Sequence, residues 1–207
     1  MARNYDDLYG GAGEDEAFEL LASLTHGQLS HWNRGQGRPE MAFMHYAVSS
    51  DPRQILGHLS NNNPMLELLD ADPRATFWVE GGSAYVPSHW YTTNQEKAVP
   101  TSYYSWAQFE VEVELVRNSE GMLELLKHML AVLQSEGSHP PMDPTQKFWQ
   151  GMLGAITGLK MNIVSSRSRH KLGQNRPVET RREIAAKMDA RGLGQDAEMA
   201  EQVLARL

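Results

Sequence analysis

Phe109-Glu110-Val111-Glu112-Val113-Glu114-Leu115 (FEVEVEL, 109–115) alternates apolar and acidic side chains without a break. A period of two puts Phe109, Val111, Val113 and Leu115 on one face and three glutamates on the other, as in a half-exposed antiparallel strand. Glutamates aligned on one side also discourage stray edge pairing. Just downstream the period changes. Met122, Leu125, Leu126, Met129, Leu130 and Leu133 follow the i, i+3, i+4, i+7 spacing of an amphipathic helix over 119–135, with Asn118 or Ser119 as its cap. The segment SHPPMDP then breaks it.

Upstream, GQLSHWN, EMAFMHYAVSS and RATFWVEGG are short apolar and aromatic runs separated by Gly- and Pro-containing turns, and they read as strands. EDEAFELLASL (14–24) has an acidic first turn and an apolar stripe of Ala17, Leu20, Leu21 and Leu24, which predicts a helix. A short helix is expected over 145–154, a strand over 159–165, and helix again from Glu179, interrupted at Gly192 and Gly194. The sum is a mainly β (α+β) chain of six or seven antiparallel strands with peripheral helices. A barrel or strongly curled sheet suits that pattern.

Composition bounds the function classes. The 207 residues suit one domain with a helical appendage, and the net charge of −7 argues against a chain-wide nucleic-acid footprint. No apolar run is long enough to span a membrane, and the acidic start does not read as a signal peptide. With no cysteine, disulfides, thiolate metal sites and Cys nucleophiles are excluded, and a cytoplasmic setting is the expectation. The eight histidines show no HExxH or other close pairing, so no protein-built metal site is expected. No P-loop, GxGxxG or GxSxG motif is present, and no catalytic residue can be named.

Three stretches carry chemical possibilities. GHLSNNNP (57–64) reads either as a turn capping a helix that starts at Pro64, or as a polar cradle with His58 as donor or ligand. The run RSRHKLGQNRPVETRR (167–182) sets six Lys/Arg against one Glu. It reads as a solvated connector, or as a phosphate or carboxylate grip by Arg167, Arg169, Lys171 or Arg176, with direct DNA binding a weaker third reading. GGSAYVPSHWYTTNQEKAVPTSYYSW (81–106) gathers Tyr85, Trp90, Tyr91, Tyr103, Tyr104 and Trp106 among many hydroxyls. It reads as a hairpin with aromatic cross-strand pairs, as a wall for a flat ligand rimmed by Ser88, Thr92 and Thr101, or as both.

Taken in order, four motifs resemble the PaiB-like FMN-binding proteins, a family of negative transcriptional regulators. They are Gly57-His58-Leu59…Asn63-Pro64, Ala84-Tyr85-Val86…Trp90-Tyr91, Val99-Pro100-Thr101…Tyr104 and Lys171-Leu172-Gly173-Gln174-Asn175-Arg176. Met44-His45 stands where that family has a Ser-His pair. The resemblance spans about residues 41–176. It implies a flavin-reductase/PNP-oxidase-like split β-barrel over 1–176, a helical extension over 177–207, and a cytoplasmic homodimer holding FMN near its interface in a regulatory or redox role. By motif position it implies a cofactor pocket from His58, Asn61, Asn63, Tyr85, Ser88, Trp90, Tyr91, Thr101, Tyr104, Lys171, Gln174, Asn175 and Arg176. The chain departs from the family pattern at Ser83, His89, Ser102, Tyr103 and Gly173. Haem-dependent piperazate synthases resemble the same proteins, so haem b is the alternative cofactor. Its axial ligand would be His58, then His89 or His45.

Overall fold

A computed structural model of the chain describes residues 13–91 and 99–207. Its elements are α1 (Glu14–Ser23), β1 (His26–Asn33), β2 (Arg38–Val48), β3 (Gln54–Ser60), α2 (Met65–Ala71), β4 (Arg74–Val86), β5 (Thr101–Val116), α3 (Ser119–Leu133), α4 (Lys147–Gly154), β6 (Ile156–Lys171), α5 (Val178–Arg191) and α6 (Asp196–Ala205). The strands hydrogen-bond in the order β1-β2-β3-β6-β5-β4 and close into a barrel. The expected α+β split-barrel architecture is thus present, with six strands.

The alternating strand at 109–115 is the end of a longer element, because β5 starts already at Thr101. Glu110, Glu112 and Glu114 are exposed while Phe109, Val111 and Val113 are buried, as the pattern demands. Strand β6 is the larger surprise. Its first half carries the apolar pattern, with Leu159, Met161 and Ile163 buried. It then continues through Arg167–Lys171, where a solvated connector was one reading. There the buried positions are Ser168 and His170, so the buried set shifts from odd to even numbers and becomes polar. Neither change is visible to a hydrophobic-period reading.

Two compact units divide the chain, and it passes between them within β4, β5 and β6. In the unit formed by Leu21–Val79 and Gln108–Ser166, Tyr46 and Phe77 meet edge to face at 5.2 Å. The Tyr46 hydroxyl donates to the Leu21 carbonyl at 2.5 Å. Helix α3 begins where the Asn118 side chain accepts from the Gly121 amide at 2.8 Å. Its Met122, Leu125 and Met129 pack on Ala47, Leu56 and Val116, each large side chain contributing about 1.5–3 kcal/mol by its burial.

In the other unit, from Met1–Leu20, Glu80–Ala107 and Arg167–Leu207, α5 and α6 bury Ile184, Met188, Met199 and Val203 against Val86, Tyr103 and Leu172. Gly192 ends α5 in the left-handed conformation (φ 59°), the reason the helical run stops there. Arg191 then grips the buried Asp196 carboxylate through two hydrogen bonds of 2.7 and 2.6 Å. This guanidinium holds the Asp196 carboxyl below the usual range. Among the described residues no helix is long and apolar enough to cross a membrane.

Candidate functional site

The segment after β6, Leu172-Gly173-Gln174-Asn175-Arg176, is a tight turn closed by the Arg176 amide donating to the Gly173 carbonyl at 2.8 Å. Gly173 has φ 74°, and a Cβ there would run into the Tyr103 hydroxyl. Glycine is therefore required twice over, by conformation and by space. Gln174 ties the turn to the strand: its carbonyl oxygen accepts from the Leu172 amide at 2.8 Å, and its NH2 donates to the His170 carbonyl. Gln174 is a brace of the turn, which presents Asn175 and Arg176.

Those two residues line a cavity of about 210 Å³ together with Tyr91, Thr101, Tyr103 and Lys171. The Arg176 guanidinium stands 4.3 Å from the Tyr91 ring centroid, a cation–π contact. The Lys171 ammonium donates to Thr101 Oγ1 at 2.7 Å and lies 5.9 Å from the Tyr104 ring centre. Two cations, an aromatic face and a hydroxyl meet there, and no carboxylate among the described residues lines the cavity. Such a set suits an anionic group attached to a polar or aromatic body.

Other expected site residues serve the fold. Asn61 donates to the Gly154 carbonyl at 2.8 Å and accepts from Thr157 Oγ1 at 2.7 Å. Asn63 accepts from the Met65 amide at 2.9 Å, capping α2, so the turn reading of NNNP holds for both side chains. Trp90 lies under the Arg191 guanidinium at 4.6 Å, and its carbonyl accepts from the Lys187 ammonium at 3.0 Å. Tyr85 is exposed, and its carbonyl accepts from Arg191. Ser88 and His89 belong to a single 3-10 turn, Ser88–Trp90. Tyr85, Ser88, His89 and Trp90 line none of the cavities described here. Thr92 lies outside the described residues.

His58 faces a different cavity, of about 280 Å³, within the unit that holds α3. It shares that space with His45 and with His139 of the segment after α3, against Leu126 and Leu130 of α3 and Trp149 of α4. Burial pushes the His58 imidazole below its ordinary value, and the neighbouring His45 adds to the effect. The neutral ring thus keeps one nitrogen free to accept or ligate. The His45 ring lies 4.3 Å, centroid to centroid, from His26, its partner across β1 and β2. His26, His139 and Trp149 had no signal in the sequence, because strand register and the fold of the 134–146 segment bring them to the cavity. Among the described residues no group of three or more His, Asp or Glu is placed to hold a metal ion.

Residues 12–165 match the family model FMN_bind_2, described as "Putative FMN-binding domain". No curated protein matches the chain in sequence. Among solved structures, the chain resembles the flavocytochrome Anf3 from Azotobacter vinelandii, at 12% identity over 84% of this chain and 73% of that one, with a TM-score of 0.62. It also resembles an FAD and haem binding protein from Mycobacterium smegmatis, at 14% identity over 86% and 79%, TM-score 0.60. The conserved hypothetical protein Rv2991 from Mycobacterium tuberculosis aligns at 19% identity over 86% and 94%, TM-score 0.56. At these identities the likeness is one of fold, and it agrees with the split barrel. The family match covers well over half of the sequence, so the chain belongs to the FMN_bind_2 family of FMN-binding domains.

Proposed function

We propose that the chain is a PaiB-like flavin-binding split-barrel protein that grips the phosphate of FMN with Lys171 and Arg176, in a regulatory or redox role. The observation that carries this reading is the joint presence of Lys171, Arg176, Tyr91 and Thr101 around one cavity, with no carboxylate among the described residues that line it. The Gln174 brace and the left-handed Gly173 hold the turn in shape before any ligand arrives, which lowers the ordering cost of binding. The bound flavin would supply the electron chemistry at its ring, while the chain binds and orients it.

At about 210 Å³ the cavity is smaller than the ~300–1,000 Å³ of most small-molecule pockets. It suits the phosphate end rather than a whole flavin. The reading includes a homodimer in which a second copy covers the remainder, in a cytoplasmic setting. Direct DNA binding is no part of this reading, because the net charge is −7 and two cations of the basic run, Lys171 and Arg176, line the cavity.

The test compares FMN with riboflavin, which lacks the phosphate. In the Lys171→Ala/Arg176→Ala variant, FMN affinity should fall by at least about 100-fold, taking ~1.5–3 kcal/mol per charged hydrogen bond, while riboflavin affinity stays unchanged. Equal losses for both ligands would sink the phosphate role, and a wild-type chain that ignores FMN would sink the whole reading.

Haem b is the second reading, favoured by the neutral His58 imidazole among apolar side chains, with His45 beside it. The residue types fit a haem, whereas the cavity of about 280 Å³ encloses only part of one, so a second copy would be needed here too. His89 is the weaker ligand choice, since it is exposed and does not line this cavity. The absorbance spectrum of the purified protein separates flavin bands from an intense Soret band.

A further inference from the structure

Of the Lys and Arg residues in the basic run at 167–182, Arg181 is the one that the fold buries, at 6% exposure near the start of α5. Its Nε donates to the Leu172 carbonyl at 3.2 Å, and a terminal nitrogen donates to the Val203 carbonyl at 3.4 Å. Among the described residues no carboxylate pairs with it. Arg191, at the other end of the same helix, stands against the Asp196 carboxylate at 2.6 Å. The two guanidinium groups respond in opposite ways. Burial pushes that of Arg181 below its ordinary value, opposed by the neighbouring Tyr103, whereas the hydrogen bond to Asp196 raises that of Arg191. Both keep their protons, as arginines in proteins do.

A buried charge without a counter-ion is expensive, and two long bonds to carbonyls offset only part of the cost. Leu172 and Val203, whose carbonyls Arg181 holds, belong to the apolar core of Ile184, Met188 and Met199. An apolar side chain there would carry no desolvation cost. What the charge stands behind is the Lys171/Arg176 cavity. Leu172 lies between Lys171 and Gly173, which both line it. Gln174 holds the Leu172 amide and Arg181 holds its carbonyl, so the start of the turn is fixed from both sides. Tyr103, within electrostatic reach of Arg181, lines the same cavity.

We propose that Arg181 is a positioning residue of the Lys171/Arg176 site: it clamps the Leu172 carbonyl behind the turn, and its uncompensated charge favours a phosphate monoester over the same ligand without the phosphate. The proposal rests on the phosphate reading of that cavity. A buried charge is screened far less by salt and water than a surface one, so its field acts through the thin layer formed by Leu172 and Tyr103. The attraction grows with the charge of the guest, and a monoester carries close to two negative charges at neutral pH. Arg181 touches no ligand itself, and Lys171 and Arg176 make the direct contacts.

Titration of the full chain with FMN and with riboflavin, in the native protein and in Arg181→Met and Arg181→Lys, tests this. Arg181→Met keeps an unbranched stem and removes the charge, so FMN affinity should fall about tenfold while riboflavin affinity stays unchanged. Arg181→Lys keeps the charge without the planar fork, and its FMN affinity should stay within about threefold of the native value. A residue that only braced the fold would lower both affinities together, so equal losses for FMN and riboflavin overturn the proposal. So does a lysine variant as weak toward FMN as the methionine one. Circular dichroism reports folding. Should Arg181→Met fail to fold, Arg181→Gln, uncharged but able to donate to a carbonyl, is titrated in its place, and failure of both to fold would make Arg181 a purely structural residue. A native chain that binds FMN no better than riboflavin overturns the phosphate reading and this proposal with it. A native preference for FMN that persists undiminished in Arg181→Met overturns this proposal alone.

Discussion

Gly173 condenses the logic of the Lys171/Arg176 cavity into one residue. Its positive φ and the Tyr103 hydroxyl against its Cα leave no room for a side chain. Gly173→Ala should therefore cost about 2 kcal/mol or more in urea denaturation, from left-handed strain plus the displaced tyrosine. A loss below about 0.5 kcal/mol would mean that the turn relaxes freely. Gly173 and Tyr103 are both positions where the sequence departs from the family pattern it resembles, and the two meet in space. Asn61, Asn63 and Gln174 teach the opposite lesson. Each sits in a motif that pointed to a ligand, yet each side chain is engaged by backbone or by Thr157. A sequence motif marks where a local structure recurs, and part of what recurs is its bracing.

At the scale of elements, α3 was legible because its apolar spacing and its Asn118 cap are both local signals. Asn118→Ala removes the side-chain acceptor for the Gly121 amide and should lower stability by about 1 kcal/mol. Thermal unfolding monitored by circular dichroism would measure it, and an unchanged midpoint would show that the cap is not what starts the helix. Strand β6 was only half legible. Its extension through Arg167–Lys171 buries Ser168 and His170 instead of apolar side chains, so the alternation that announces a strand is absent. What holds this stretch in the sheet is backbone hydrogen bonding to strands far away in sequence, and no local propensity reports that. The same extension delivers Lys171 to Thr101, and so half of the proposed phosphate grip.

For the molecule as a whole, the buried His170 links stability to pH. Its side chain is 3% exposed, with Glu16 Oε2 3.6 Å from Nε2, beyond hydrogen-bond reach. Burial, aided by the charge of Arg206 and opposed by Glu19, pushes its pKa down to about 4. The folded state therefore holds His170 neutral, while the unfolded chain protonates it near 6.5. Below that value the unfolded state binds more protons, so stability falls as pH drops from about 6.5 toward 4. Between pH 7 and pH 5 the loss should be about 2 kcal/mol. Urea denaturation across that range should show the slope in the native chain and lack it in His170→Leu. Equal slopes in both would assign the effect to other groups.

The sequence by itself determined the fold class, the helices and the outward face of β5, because these rest on periodicities and caps acting over a few residues. Its ordered motifs also pointed to the FMN-binding family. Only the tertiary structure decided which motif residues meet. It gathered Tyr91, Thr101, Lys171, Asn175 and Arg176 around one cavity, and set His58 beside His45 and His139 around another. It also turned Asn61, Asn63 and Gln174 into supports. The physical reason is that convergence depends on strand register and on the course of loops between distant segments. Those are fixed by burial and hydrogen bonding across the chain, and neighbouring residues carry no trace of them.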